Sequence, residues 1–330
     1  MSGSGAIGQR VLRREDERLL RGRGRFVDDY RPANTVHMSL ARSPHAHARI
    51  VSVDASAARA MPGVLGIFTG DDWVAAGFGE LPCIWEVNST DGRPMNEATR
   101  PALVPFAEGR GCVRHVGDIV AAVIALRADQ AADAAEAIVI DYEPLSAVVS
   151  TARALDDEAP LVHPRFGTNL CFDIEFGDCR KADAAIAGAA HVTTIDLINN
   201  RVAPSPLEPR ATLGVYDPDD DHYTLWTSSQ NPHLVRRWLA ESSLKISEQN
   251  IRVVSPDVGG GFGQKISHYP EEPLVLWAAK VFGRPVCWTG TRSENFLEDT
   301  QARDHSTRCR MAFDADGRIL GLDVDTIAAV

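Results

Sequence analysis

Six cysteines (Cys83, Cys112, Cys171, Cys179, Cys287 and Cys309) are scattered along the chain, and no two stand in C-x-x-C spacing. The missing spacing excludes an encoded zinc site or iron–sulfur cluster, both of which need clustered thiolates. The six read as free, reduced thiols. No run of 18 apolar residues occurs, so no membrane-spanning helix is expected, and the Gly/Ser-rich start at 1–9 lacks the apolar core of a secretory signal. A soluble, cytoplasmic chain is the expectation. Basic residues are in deficit: 34 Lys+Arg against 45 Asp+Glu leave a net charge of -11. Long-range repulsion then disfavours a general nucleic-acid or anionic-membrane surface, and the arginine-rich stretch 10–25 reads as a solvated or partner-facing arm.

What is present is an ordinary globular composition, 44% hydrophobic and 24% charged, over 330 residues. That length exceeds what one core usually serves, so two domains are expected. Alternating Val36, Met38 and Leu40 predict a strand, Ile50, Val51 and Val53 another, and residues 64–68 a third after a helix over 55–61 capped by Asp54. The rhythm returns as an apolar run at 119–126, an alanine-rich helix at 129–137 and a strand at 138–142. Between the two units, 77–105 is a long excursion punctuated by Pro82, Pro94 and Pro101. The organisation expected is an arm at 1–24, an α+β domain at 25–147, a linker at 148–168 rich in proline and acid, and a second domain at 169–330. In the second domain strands are expected at 191–198, 211–216, 223–227, 251–254 and 286–289. Helices are expected at 232–243, capped by Asn231, at 270–281, and after the capping-box pair Thr291 and Glu294. A hairpin turning at 314–317 closes the sequence, and its apolar last residues suggest truncation or a partner that continues the fold.

The densest motif is Asp257-Val258-Gly259-Gly260-Gly261-Phe262-Gly263-Gln264-Lys265, between a strand and a helix. Four glycines in five positions permit positive φ and close approach of a polyanion to main-chain N–H groups. A plain tight turn without ligand is the alternative. A dinucleotide G-x-G-x-x-G fails at Gln264, and G-x-x-x-x-G-K-[ST] does not fit around Lys265. Gln230, at a strand end before the helix cap, could donate to a ligand oxygen or tie down the loop. Glu208, fixed between Pro206 and Pro209, is either a site residue or a structural carboxylate paired with Arg210 or Arg201. His45 and His47 lack a third metal ligand, and no Ser or Cys triad can be assembled from order and spacing.

Phe26-Val27-Asp28-Asp29, Ala41-Arg42-Ser43-Pro44-His45-Ala46, Met61-Pro62-Gly63-Val64, Val116-Gly117-Asp118 and Asp141-Tyr142-Glu143-Pro144-Leu145 resemble the a/b hammerhead domain of the aldehyde oxidase and xanthine dehydrogenase family. Residues 206–210, 228–232, 257–265 and 291–294 resemble the first half of that family's mixed α/β molybdopterin-binding domain. The resemblance covers 18–330. It implies molybdenum on molybdopterin, in the cytosine dinucleotide or a related form, with 2Fe-2S and FAD on partner subunits and no metal ligand from the protein itself. Such a cofactor does the redox step and activates a water-derived oxygen, while the protein orients.

By motif match, Gln230 resembles the glutamine that hydrogen-bonds an oxo ligand of the metal. Gly260, Gly261, Phe262 and Gly263 resemble the loop beside the cofactor, with Phe262 bordering the substrate channel, and Glu208 and Arg210 lie behind them. The family's catalytic glutamate falls in a C-terminal region outside this sequence. Ile266 stands where purine-oxidising members carry a substrate-binding glutamate, and residues 199–201, 206–210 and 274–279 are worded more like the carbon monoxide dehydrogenase branch. The expected function is therefore part of a hydroxylase of aldehydes, N-heterocycles or carbon monoxide, needing a C-terminal molybdopterin-domain half or subunit. The alternatives are a non-catalytic cofactor-holding or assembly module and a nicotinamide-dependent dehydrogenase.

Overall fold

A computed structural model describes residues 7–8, 10–83, 86–107 and 111–329, so most of the Gly/Ser-rich start, residues 84–85 of the 77–105 excursion, residues 108–110 and Val330 fall outside the described residues. The strands are β1 Val36–Arg42, β2 Ala48–Asp54, β3 Val64–Thr69, β4 Cys112–Val113, β5 Ile119–Ala125, β6 Val139–Pro144, β7 His191–Asn199, β8 Ala211–Asp217, β9 His222–Thr227, β10 Ile251–Val254, β11 Val286–Thr289, β12 His305–Phe313 and β13 Ile319–Ala328. The helices are α1 Asp16–Leu20, α2 Ser56–Arg59, α3 Gly70–Ala75, α4 Ala128–Glu136, α5 Cys179–Gly188, α6 Pro232–Trp238, α7 Glu271–Phe282 and α8 Arg292–Glu298. The chain is α+β, as its alternating elements predict.

Strands from both sides of the 148–168 segment form one seven-stranded sheet, ordered β10-β9-β8-β11-β1-β5-β3. The join is the short parallel pairing of Val36 with Val286 and His37 with Cys287, while β1 runs antiparallel to β5 along its whole length. Every residue of β5 is buried, as an uninterrupted Ile/Val/Ala run requires when both faces are covered. Helix α7 packs on β8, and Gly214 permits it: a Cβ there would stand 2.7 Å from the Val275 carbonyl. Leu274, Val275, Leu276, Ala278 and Ala279 of α7 join β1, β5, β9 and β11 in the largest core cluster. Gly283, at φ 59, then ends the helix in a left-handed cap.

Two smaller sheets flank this one. The order β4-β2-β6 closes the first unit. In the order β13-β12-β7, Cys309 pairs with both Ile195 and Val324, so those three residues share a face. Helix α5 covers the opposite face, where Ala185 approaches Gly321 and Ala312 is fully buried. The face bearing Ile195 (49% exposed), Leu197 (51%), Leu322 (51%) and Val324 (52%) has no cover among the described residues.

Local expectations failed in several places. Helices α1, α3 and α5 form where none is predicted. The helix expected over 232–243 keeps α geometry only to Trp238, then widens to a π turn over Leu239–Ser243, with Leu244 N–H donating to the Leu239 carbonyl at 2.8 Å. Asn231 does not cap α6; its backbone N–H is held by Ser229 Oγ at 3.0 Å instead.

Candidate functional site

Residues 257–265 leave β10 and turn back towards the buried N-terminus of α7. Three successive departures from ordinary backbone shape the loop: Gly260 (φ 95), Phe262 (φ 54) and Gly263 (φ 91). The positive φ expected of the glycines is thus carried by Gly260 and Gly263, and Gly261 has none. An aromatic side chain in the left-handed region is costly, and Phe262 is nonetheless 74% exposed, with only its ring edge lying over Gly260. Outlying backbone held beside an exposed aromatic is the kind of strain found at ligand sites.

Glu208 and Lys265 fix the loop from behind. Glu208 Oε2 accepts from Gly259 N–H and from Lys265 Nζ, both at 2.7 Å, and Glu208 N–H donates to the Gly259 carbonyl at 3.2 Å. The Lys265 ammonium is fully enclosed; burial pushes its pKa down, and the bond to Glu208 opposes that. Neither Arg210 nor Arg201 partners Glu208: Arg210 turns to Glu271 and Asp299, Arg201 to Asp304. The carboxylate is the hinge pin of the glycine loop. Its second oxygen, Oε1, is buried with no partner among the described residues.

Gln230 reaches the loop from the front. Its backbone N–H donates to the Lys265 carbonyl at 2.7 Å, and its side-chain Oε1 accepts from Gly263 N–H at 3.0 Å. With Oε1 so engaged, the amide orientation is set, and Nε2 remains a donor without an acceptor among the described residues. Gly261 lies directly beneath: a Cβ there would meet Gln230 Oε1 at 2.3 Å and Cδ at 2.5 Å. The glycine is needed for this contact and not for an unusual torsion. Structure thus brings Gln230, Gly260, Gly261, Phe262, Gly263 and Glu208 together, with Arg210 one layer deeper.

Arg210 belongs to an enclosed ionic seam. Its guanidinium donates to Glu271 at 2.8 Å and lies 3.6 Å from the Tyr269 ring centroid. Arg42, from the hammerhead-like motif, donates to the same Glu271 at 2.8 Å and to Glu294 at 3.1 Å. Arg100, from the long excursion, holds Glu298 at 2.6 Å, and His115 lies 3.0 Å from that carboxylate. Burial pushes Glu271 and Glu298 up, but Arg210 and Arg42 pull the first, and Arg100, His115 and Arg42 the second, below the usual carboxylate range. A polar cavity of about 10 Å³ beside Arg210, Thr227, Lys265 and Glu272 has room for one water at most, so no substrate enters the seam.

One constellation escaped sequence reasoning. Ser243 Oγ lies 2.6 Å from His268 Nε2, and His268 Nδ1 lies 2.7 Å from Glu272 Oε2, a Ser–His–Glu relay built by the π turn and the first turn of α7. Ser243 is 0% exposed, His268 5% and Glu272 4%. A nucleophile sealed this way meets no substrate, and Glu272 is further occupied by Thr227 Oγ1 and Tyr269 N–H. The relay is a strut behind the strand end that carries Gln230. His45 and His47 remain apart from any site: His45 packs on Tyr142, and His47 Nδ1 lies 2.8 Å from the Ser146 carbonyl. Among the described residues no group of three or more His, Cys, Asp or Glu could hold a metal ion, and no helix is long and apolar enough to cross a membrane.

Residues 21–146 match the aldehyde oxidase and xanthine dehydrogenase a/b hammerhead domain, and residues 162–330 match the molybdopterin cofactor-binding domain. The chain is 35% identical, over 96% of its length, to the 6-hydroxypseudooxynicotine dehydrogenase complex subunit gamma of Paenarthrobacter nicotinovorans, of which it covers 38%. It is 34% identical over 97% of its length to the carbon monoxide dehydrogenase large chain of Hydrogenophaga pseudoflava, of which it covers 39%. Its fold superimposes on quinoline 2-oxidoreductase from Pseudomonas putida 86 with a TM-score of 0.88 at 36% identity, covering 98% of this chain and 39% of that one. The chain therefore spans about two-fifths of the length of the proteins it matches.

Proposed function

Because this chain belongs to the aldehyde oxidase and xanthine dehydrogenase family of molybdopterin-binding large subunits, we propose that it forms part of a molybdenum hydroxylase. Its substrate would be an aldehyde, an N-heterocycle or carbon monoxide, and its electrons would leave through iron–sulfur and FAD subunits. Quinoline and 6-hydroxypseudooxynicotine in the names of its relatives favour the N-heterocycle, and Ile266 in place of a carboxylate favours a substrate that needs no acidic anchor there.

The residues present fit a pterin cofactor, and its cytosine dinucleotide form is part of the proposal. The carrying observation is Gln230: its carbonyl is tied to Gly263 N–H, which leaves Nε2 as an oriented donor with no acceptor among the described residues, beside an open glycine loop. A Cβ built on Gly263 meets nothing within 4 Å, so the loop faces open space a ligand could fill. When bound, the cofactor would supply the redox step and an activated water-derived oxygen. Gln230 would donate towards the metal centre, Gly260, Gly261 and Gly263 would give the backbone close approach, and Phe262 would wall the substrate side. Glu208 and Lys265 would keep the loop from collapsing.

The uncovered face of β7, β12 and β13 is where we place the remaining part of the molybdopterin domain. Without that part the chain would hold no complete site, and substrate-dependent dye reduction by this chain alone would contradict the assignment. The direct test of the site is Gln230→Ala in the assembled enzyme. Loss of a hydrogen bond to a charged or metal-bound acceptor costs about 1.5 to 3 kcal/mol, roughly ten- to a hundredfold in rate. Molybdenum content should stay normal. Unchanged kinetics at full occupancy would reduce Gln230 to a loop tie, and cofactor bound without any turnover would favour a holding module.

A further inference from the structure

Helix α1 buries none of its residues, yet the arm that carries it is fastened to one point on the molecule. Both terminal nitrogens of Arg18 donate to the two carboxylate oxygens of Asp257, across 239 residues of sequence. Arg25 N–H donates to Asp257 Oδ2 at 2.7 Å, and Asp257 N–H returns a bond to the Arg25 carbonyl at 3.1 Å. Downstream, Val27 is locked into a core cluster with Ala211, Leu213 and Cys287. The arm is thus pinned at Val27 and strapped back over Asp257, the first residue of the glycine motif.

We infer that Arg18 is a positioning residue for the glycine loop, acting through Asp257. Ahead of Gln264 and Lys265, the turn is held from outside at Asp257 by the arm, at Gly259 by Glu208 and at Gly263 by Gln230. Two tethers come from the second unit itself, whereas the first comes from the N-terminus. Only two residues separate Asp257 from Gly260, so a shift at the carboxylate reaches the positive-φ turn with little chain to absorb it. A planar fork on a carboxylate fixes direction as well as distance, which a lysine cannot do. The Arg18 fork and the Arg25 N–H hold the Asp257 carboxyl down at about 2, so the strap keeps its charge across the working pH range.

The consequence for a cofactor rests on the reading proposed above; the strap itself does not. Hydrogen–deuterium exchange of the peptide spanning 257–265, measured in the assembled enzyme, separates the two. Arg18→Ala should speed exchange there roughly three- to tenfold, the scale of a well-formed but partly exposed ion pair. Arg18→Lys should fall between, and Arg13→Ala, which removes only a pair with Asp16, should leave the loop at its wild-type rate. Faster exchange confined to residues 10–25, with the loop unmoved in both Arg18 variants, would overturn the inference. Molybdenum content and turnover of the same samples report separately: a loosened loop with full metal and wild-type turnover supports the strap and counts against the cofactor reading.

Discussion

The ionic seam around Glu271 and the outer face of the β7, β12 and β13 sheet obey opposite rules. In the seam, groups that prefer water are withdrawn from it and matched one against another: Arg42, Arg100 and Arg210 against Glu271, Glu294, Glu298 and Asp299. On the outer face, side chains that avoid water are left half in it. A buried charge is tolerated only when its partners are present in the same chain, so the seam, with the loop above it, is finished by the residues described. An apolar face of four or more aliphatic side chains is a surface prepared for contact. The comparison teaches that the seam closes on its own charges, whereas the outer face is the surface on which we propose the rest of the domain docks.

The comparison breaks most sharply at Glu271. Glu271→Ala strands Arg42 and Arg210 without their shared carboxylate, and removing one partner of a buried pair costs about 3 to 5 kcal/mol. A large drop in melting temperature is expected, and a drop of a degree or two would mean the seam is hydrated and not sealed. Acid should act on the same charges more gradually. Because Glu271 and Glu298 titrate below the usual range when folded, their contribution is complete above the ordinary glutamate value, about 4.3, and is lost as the pH falls below it. Melting temperature followed downward from pH 6 should therefore decline, and Glu298→Gln should flatten that decline; an identical slope in the variant would remove Glu298 from the account. The smallest effect belongs to the outer face, where Leu322→Ser should change stability of the chain by no more than about 0.5 kcal/mol while weakening association with the rest of the enzyme. A substantial loss of stability in the chain alone would show the face to be already covered.

Much of the fold was legible because its signals are local. The run at Ile119–Ala125, the capping box at Thr291 and Glu294, and Gly283 past α7 each declare themselves within a few residues. Two missed helices also carried such signals: Thr69 with Asp72 forms a capping box for α3, and Asp178 caps α5 by accepting from Lys181 N–H. What no local pattern announces is pairing across distance. The parallel join of β1 to β11 welds the two halves into one sheet, and Glu208 chooses Lys265 over its neighbour Arg210. The glycine motif was legible as a positive-φ turn, but its inner logic was not. Gly261 is small to make room for Gln230, thirty-one positions earlier in the chain, and no torsion requirement marks it.

That contact gives the most direct test of the central claim, that Gln230 and the glycine loop form one cofactor-holding unit. Gly261→Ala places a methyl where Gln230 Oε1 and Cδ now stand, and the exposed glutamine, whose side chain is held by the single Gly263 N–H bond, is pushed aside without unfolding the loop. Molybdenum and pterin content and turnover should be measured in assembled Gly261→Ala, Gln230→Ala and the double variant. The account predicts that both single variants lose activity by a similar factor, roughly tenfold or more, and that the double variant is scarcely worse than either, because both remove the same fixed donor. Wild-type turnover and full molybdenum in a Gly261→Ala enzyme that melts normally would contradict it.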